Sequence, residues 1–254
     1  MASGSIKSLP KLPSIRDLIK IYGISAQSRF SQNFILDRNI TDTIVKNAKI
    51  DFDHSLVIEV GPGPGLLTRA ILNAGAKNLV AVEKDKRFIP TLEQLQAASE
   101  NRFKAILGDI LYVDHKQLMD IAQNNPANKQ EIEKVHIIGN LPFNIATSLL
   151  IQWLYQMEKR EGLFALPEPS MTLMFQKEVG LRISAPPSAK ERGRLSVMTQ
   201  SLCEAKTIYT VRSSSFVPKP KVDAAVIQFK LLKEPILKSS IKTLEKIHKN
   251  ELKD

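Results

Sequence analysis

"VIEVGPGPGLLT", residues 57–68, runs from an apolar stretch through three glycines and two prolines into apolar residues at helical spacing. Gly61, Gly63 and Gly65 let a chain turn tightly and let its backbone approach a ligand closely. The run that enters this turn is "SLVIEV" (55–60). Three similar runs follow: "NLVAVE" (78–83), "FKAILGD" (103–109) and "VHIIGN" (135–140), each succeeded by a segment of helical period. Strands alternating with helices predict an α/β fold, a parallel sheet covered by helices on both faces. In such a sheet, ligands bind beyond the carboxyl ends of the strands. Further strands are expected at 170–176, 206–211 and 224–230, with a polar, proline-containing loop at 184–194. Near the start, "SIRDLIKIYG" reads as a helix capped by Ser14 and stopped by Gly23, and "DRNITDTIVKNAKI" as a second helix.

The turn selects among nucleotide-like ligands. Glu83 stands at the end of the second strand, twenty residues after Gly63, where a carboxylate can accept hydrogen bonds from ribose hydroxyls. The pattern is nevertheless G-x-G-x-G, with Leu66 where a dinucleotide fingerprint carries its third glycine. Pro62 and Pro64 also lack the N–H groups on which a pyrophosphate site depends. S-adenosylmethionine offers adenine, ribose and a charged amino acid without phosphate, and so satisfies both observations. At the end of the third strand Asp109 can accept from the adenine amino group, with Ile110 against the ring. Glu59, inside the first strand, is placed to brace the loop or the ligand's ammonium.

The fourth strand ends in "IIGNLPFNIA" (137–146), delivering Asn140, Leu141, Pro142 and Phe143 to the same sheet edge. That set suits methyl transfer to an exocyclic amine of a base. The side-chain oxygen of Asn140 and the carbonyl of Leu141 can accept the amine's two N–H groups and favour the positive charge that develops on nitrogen. Pro142 biases Leu141 toward extended backbone geometry. Phe143 offers a face on which an unstacked base can lie.

The chain has 254 residues, 43% of them hydrophobic, enough for one large domain. No apolar run approaches the roughly 18 residues of a membrane-spanning helix, so no membrane partner is expected. Cys203 is the sole cysteine, and His54, His115, His136 and His248 show no metal-ligand spacing; no metal is expected. The net charge of +10 is spread along the chain and points to a polyanionic partner. The first sixteen residues carry Lys7, Lys11, Arg16 and several serines but no acid, a composition shared by organelle transit segments and disordered termini.

Together "SQNFILD", "EVGPGPGLLTRAIL", "VEKD", "GD", "HIIGNLPFNIA", "MTLMFQKEV", "RLSVM" and "FVPKPKVD" resemble the ribosomal RNA adenine N6,N6-dimethyltransferases, most closely their mitochondrial branch. The resemblance runs from about Leu12 to Leu232. It implies a Rossmann-like class I S-adenosylmethionine-dependent methyltransferase with a seven-stranded, mostly parallel sheet whose last strand is antiparallel. It also implies that Gln32, Asn33 and Ile35 close over the cofactor, that Lys84 joins Glu83, Gly61, Gly63, Asp109, Ile110 and Asn140 in holding it, and that Phe216 is a second aromatic beside the target base. The implied substrate is a pair of adjacent adenines in a hairpin loop near the 3′ end of small-subunit rRNA, each methylated twice. The partner is then the mitochondrial small ribosomal subunit and the location the mitochondrial matrix.

Three segments are expected on this reading: a transit-like stretch and helix at 1–27, the methyltransferase domain at 28–232, and at 233–254 the start of a truncated helical domain that would help to dock rRNA. In that last segment Ile236, Ile241, Leu244 and Ile247 form an apolar face expected to lack partners. A rival reading is a non-enzymatic accessory of the mitochondrial transcription machinery, a role that the branch's alternative name suggests. A DNA adenine methyltransferase would share the same site logic. The acceptors at Asn140 and Leu141 favour the enzyme, because binding alone needs no groups that polarise an amine.

Overall fold

The computed structural model describes residues 8–23, 33–125, 131–236 and 239–250. The strands are β1 (Phe34–Ile35), β2 (Ser55–Val60), β3 (Asn78–Glu83), β4 (Phe103–Leu107), β5 (Lys134–Gly139), β6 (Ser170–Gln176), β7 (Cys203–Val211), β8 (Phe216–Val217) and β9 (Ala224–Leu231). Seven of them form one sheet in the order β4-β3-β2-β5-β6-β9-β7. Its first five strands run parallel, and β9 runs antiparallel to both β6 and β7. This is the mostly parallel sheet with a reversed last strand that the family resemblance implied.

Every residue of β2 and β3 is buried, as expected of central parallel strands covered on both faces. Leu56, Ile58 and Val60 enter one hydrophobic layer together with α6 (Phe143–Lys159) and α8 (Arg194–Leu202). Val57 faces the other layer, built with α2 (Arg38–Ala48), α3 (Leu66–Asn73) and α4 (Ile89–Ala98). Two-residue alternation puts Glu59 on this second side, and it is fully buried. Ser14 caps α1 (Ile15–Ile21) by accepting from the Asp17 amide. Asp37 caps α2 by accepting from the Asn39 amide. Gly139 is required where β5 passes β2, because a Cβ there would lie 2.7 Å from the Val60 carbonyl oxygen.

The structure departs from the sequence reading in four places. A separate two-stranded ladder pairs Phe34 with Val217 and Ile35 with Phe216; strands of two residues are too short for any period to show. The polar loop is where it was expected, and the segments flanking it, to which the sequence reading assigned nothing, are helices, α7 (Lys177–Ser184) and α8. β4 stops at Leu107, so Gly108 and Asp109 lie beyond the sheet. Finally, α9 (Ile241–Asn250) is not left without partners. Ile241 and Leu244 are buried in the α6–α8 layer, the Ile241 amide donates to Glu158 at 2.8 Å, and the Tyr155 hydroxyl donates to Glu245. Among the described side chains of that expected face Ile236 is exposed; the side chain of Ile247 lies outside the described residues. The buried His136 is held between the hydroxyls of Ser170 and Thr172, and burial pushes its pKa down to about 3, so it is a neutral core residue. Among the described residues no acid, histidine or cysteine cluster could hold a metal, and no helix is long and apolar enough to cross a membrane.

Candidate active site

The strand order sets β4, β3, β2 and β5 side by side, so their carboxyl ends open onto one edge. The glycine turn leaves β2 there. Gly61, Gly63 and Gly65 have φ of 65°, 54° and 88°, a region that L side chains enter only at a cost. The turn is tied to its neighbours: the Gly61 amide donates to the Val82 carbonyl at 2.9 Å and the Gly65 amide to the Pro62 carbonyl at 3.0 Å.

Glu83 braces the same turn. One carboxylate oxygen accepts from the Gly63 amide at 2.9 Å and the other from the Asp85 amide at 2.7 Å. Burial raises its pKa, and these N–H bonds pull it partly back. The Gly63 N–H is thus occupied, and Pro62 and Pro64 have none, so the turn presents no phosphate-binding nest. Each oxygen of Glu83 keeps a further lone pair for a ribose hydroxyl.

Glu59 lines the same cleft. Neither of its carboxylate oxygens has a hydrogen-bond partner. Burial pushes the carboxyl up to about 8; the Thr68 hydroxyl opposes the rise without reaching bonding geometry, and the Glu83 charge adds to it. A buried carboxyl with no partner is costly, and a cationic ligand group beside it removes that cost. The described residues therefore fit S-adenosylmethionine on three counts: no phosphate nest, an acceptor for ribose, and an orphaned carboxyl for an ammonium.

On the other flank Asn140 follows β5. Its side-chain amide donates to the Asn33 carbonyl at 2.8 Å, which turns the side-chain oxygen toward service as an acceptor. Leu141 is buried, Pro142 caps α6 with φ −55° and ψ 127°, and Phe143 is half-buried at the first position of that helix. The cleft brings together Asn33, Ile35, Gly61, Gly63, Glu83, Asn140, Leu141, Pro142 and Phe143. Lys84, Asp109 and Ile110 stand outside its lining, at the ends of β3 and β4. There Lys84 pairs with Asp109 at 2.7 Å, the other Asp109 oxygen accepts from the Leu111 amide at 3.1 Å, and Ile110 is buried. Gln32 lies outside the described residues.

Phe216 is placed differently from the expectation. Its side chain is 2% exposed and packs in the hydrophobic layer that also holds Phe34, so in this conformation it offers no open face to a base. The ladder accounts for this, because pairing with Ile35 holds Phe216 in the same hydrophobic cluster as Phe34 and Ile35, which line the cleft. The sequence reading also missed Phe34, Thr41 and Ile44 as lining residues. Phe34 covers the glycine turn, with ring carbons 3.5 and 3.6 Å from where a Gly63 Cβ would sit. Thr41 and Ile44 project from α2, whose helical period gave the only available signal and pointed to core packing.

Comparison with known proteins identifies the family. The family profile described as ribosomal RNA adenine dimethylase matches residues 23–252. The chain is 45% identical over 244 residues to mitochondrial dimethyladenosine transferase 1 of Xenopus tropicalis, covering 94% of this chain and 68% of that one. It is 43% identical over 251 residues to the Homo sapiens protein of the same name, covering 98% and 72%. Among solved structures, the 23S rRNA methyltransferase ErmE superposes with a TM-score of 0.61 at 26% identity, over 85% of this chain and 76% of that one. A dimethyladenosine transferase from Plasmodium falciparum, at 24% identity, shares the fold with the same TM-score, over 79% and 64%. With the profile spanning nearly the whole chain and the site assembled at the sheet edge, this protein belongs to the ribosomal RNA adenine dimethylase family, whose enzymes use S-adenosylmethionine.

Proposed function

We propose that this chain dimethylates N6 of two adjacent adenosines in the 3′-terminal hairpin loop of mitochondrial small-subunit rRNA, in the mitochondrial matrix, and so supports assembly of the small ribosomal subunit. The bond from the Asn140 side-chain amide to the Asn33 carbonyl at 2.8 Å carries the catalytic reading. One N–H of the amide is spent on Asn33, which holds the amide plane and leaves its oxygen free to accept from the substrate. That oxygen and the Leu141 carbonyl accept the two N–H groups of the adenine amine and hold its lone pair toward the cofactor side of the cleft. Phe143 stacks on the base and fixes its plane. When bound, S-adenosylmethionine supplies an electrophilic methyl group and keeps the electron pair of the broken bond on its sulfur. As the new C–N bond forms, positive charge grows on the amine, and the two acceptors stabilise it before the proton passes to water. The chain's contribution is position and electrostatics. Repeating the reaction on a monomethylated amine leaves one N–H for one acceptor.

The test is transfer of labelled methyl from S-adenosylmethionine to a small-subunit 3′ hairpin RNA, to a matched DNA, and to the RNA with its paired adenines replaced by guanines. Doubly methylated adenosine in the first RNA alone is expected. Transfer to DNA alone, or equal transfer to the guanine control, would refute the assignment.

A further inference from the structure

A second cavity lies on the outer side of α3. Its lining carries Lys11, Arg16, Arg38 and Arg69 and no carboxylate. Leu66 is a shared wall, lining both this cavity and the cofactor cleft. Arg69 projects from α3 beneath the amino-terminal segment. One of its terminal nitrogens donates to the Pro13 carbonyl at 2.7 Å, while its Nε is buried without a hydrogen-bond partner. Arg38 is oriented by Asp42, whose carboxylate accepts from its Nε at 3.1 Å, and the rest of its guanidinium fork remains available. Asn73 accepts from the Leu9 amide at 3.3 Å and helps to hold the segment over α3. Asp42 offsets the charge of Arg38 from outside the cavity lining, whereas the lining itself holds four cations and no carboxylate, so an entering anion relieves their mutual repulsion. The planar, forked donors of arginine match phosphate oxygens.

We propose that this cavity seats a backbone phosphate of the RNA substrate, anchoring the strand on the α3 side while the target base enters beside Asn140. The proposal rests on the RNA reading above and adds to it a contact surface remote from the reacting atoms. Wall-sharing through Leu66 places the phosphate next to the cofactor cleft without using any cofactor-binding group. Committing the site to an RNA phosphate, rather than a free anion, follows from the basic balance of the whole chain and from the open, surface position of Lys11, Arg16 and Arg38.

The experiment compares the full chain with Lys11→Gln/Arg16→Gln/Arg38→Gln, leaving the Arg69 tether in place. A second triple variant of equal charge, Lys104→Gln/Lys116→Gln/Lys159→Gln, changes exposed lysines outside the cavity lining. Affinity for the 3′ hairpin RNA is measured from low to moderate salt. Each lost phosphate contact lowers the slope of log K against log salt by about 0.7–0.9. The cavity triple is expected to lose at least one such step, with calorimetric S-adenosylmethionine affinity and urea unfolding unchanged; the control triple keeps the wild-type slope. The single variants Lys11→Gln and Arg16→Gln, each at an exposed position, should show part of the effect should the triple fold poorly. In parallel, inorganic phosphate is titrated against both proteins by thermal shift. Equal slopes for the two triples, or loss of inorganic phosphate binding with no change in RNA slope (a free-anion site only), would overturn the proposal. Failure of wild-type protein to bind the RNA at all would overturn the functional reading first, and this inference with it.

Discussion

Replacing Glu59 by glutamine gives the most quantitative test of the cleft. In the ligand-free protein this carboxyl is fully buried, has no hydrogen-bond partner and has its pKa pushed from an ordinary 4.5 up to about 8. The folded state therefore holds a proton that the unfolded chain releases near pH 4.5, and stability falls as pH rises from about 4.5 to about 8. Below that window both states are protonated and nothing is lost; above it the whole penalty is present. At about 1.4 kcal/mol per pH unit, the span corresponds to on the order of 5 kcal/mol, less whatever water entering the cleft recovers. The amide of the variant does not titrate. Ligand-free Glu59→Gln should therefore be more stable than wild type at about pH 8 by a few kcal/mol and equal to it at about pH 4.5, with a shallower slope between. Some slope remains, because burial raises Glu83 in the same direction. The cofactor's ammonium reverses the situation by favouring the carboxylate. S-adenosylmethionine should then release up to about one proton on binding wild type near pH 7, and none from this position in the variant. Urea unfolding at several pH values, with calorimetry in buffers of different ionisation enthalpy, reads both effects. Parallel pH profiles and equal proton release for the two proteins would refute the reasoning.

Other perturbations follow from the same geometry. Glu83→Ala frees the Gly63 amide and removes the ribose acceptor, and should weaken S-adenosylmethionine affinity by about 1–3 kcal/mol; calorimetry that found equal affinity would remove Glu83 from the site. Asn140→Ala should retain the fold and cofactor binding but raise the chemical barrier by about 2.7–4 kcal/mol, by analogy with the loss of one positioned donor at an oxyanion, as read in single-turnover assays. Phe143→Tyr should stay active and Phe143→Ala should lose RNA-dependent turnover, since stacking needs only the ring; a dead Tyr variant beside an active Ala variant would end that account. Leu244→Ala should cost about 2–5 kcal/mol in urea unfolding, because this residue is buried in the layer that α6 and α8 also build; a loss below about 0.5 kcal/mol would mean that α9 is not docked as described.

Residue order alone was enough for the alternation of strands and helices, for the glycine turn, and for which residue types stand at the strand ends. The four early strands were legible because each is a short apolar run followed by helical spacing, and β2 and β3 are buried on both faces. The absence of a phosphate nest was legible because proline has no N–H, whatever the chain does around it. Asn140 and Phe143 could be singled out because the strand that carries them ends beside the glycine turn at the edge where ligands bind, although an amide and a proline also suit an ordinary turn.

The remainder depends on contacts between segments distant in the chain. The β1–β8 ladder joins residues 34–35 to residues 216–217, and two-residue strands carry no period from which to foresee it. That pairing buries Phe216 and sets Phe34 over the glycine turn. The Asn33 carbonyl, which orients the Asn140 amide, comes from a segment 107 residues away. The face of α9 was expected to lack partners because its spacing does not say which helices meet it; its partners, α6 and α8, lie far back in the chain. The cationic cavity likewise exists only because the amino-terminal segment folds back across α3; in the sequence its four positive residues are scattered between Lys11 and Arg69. Residue type and spacing carry local conformation and intrinsic chemistry, whereas the orientation of a side chain in a site is set by whatever long-range packing places against it.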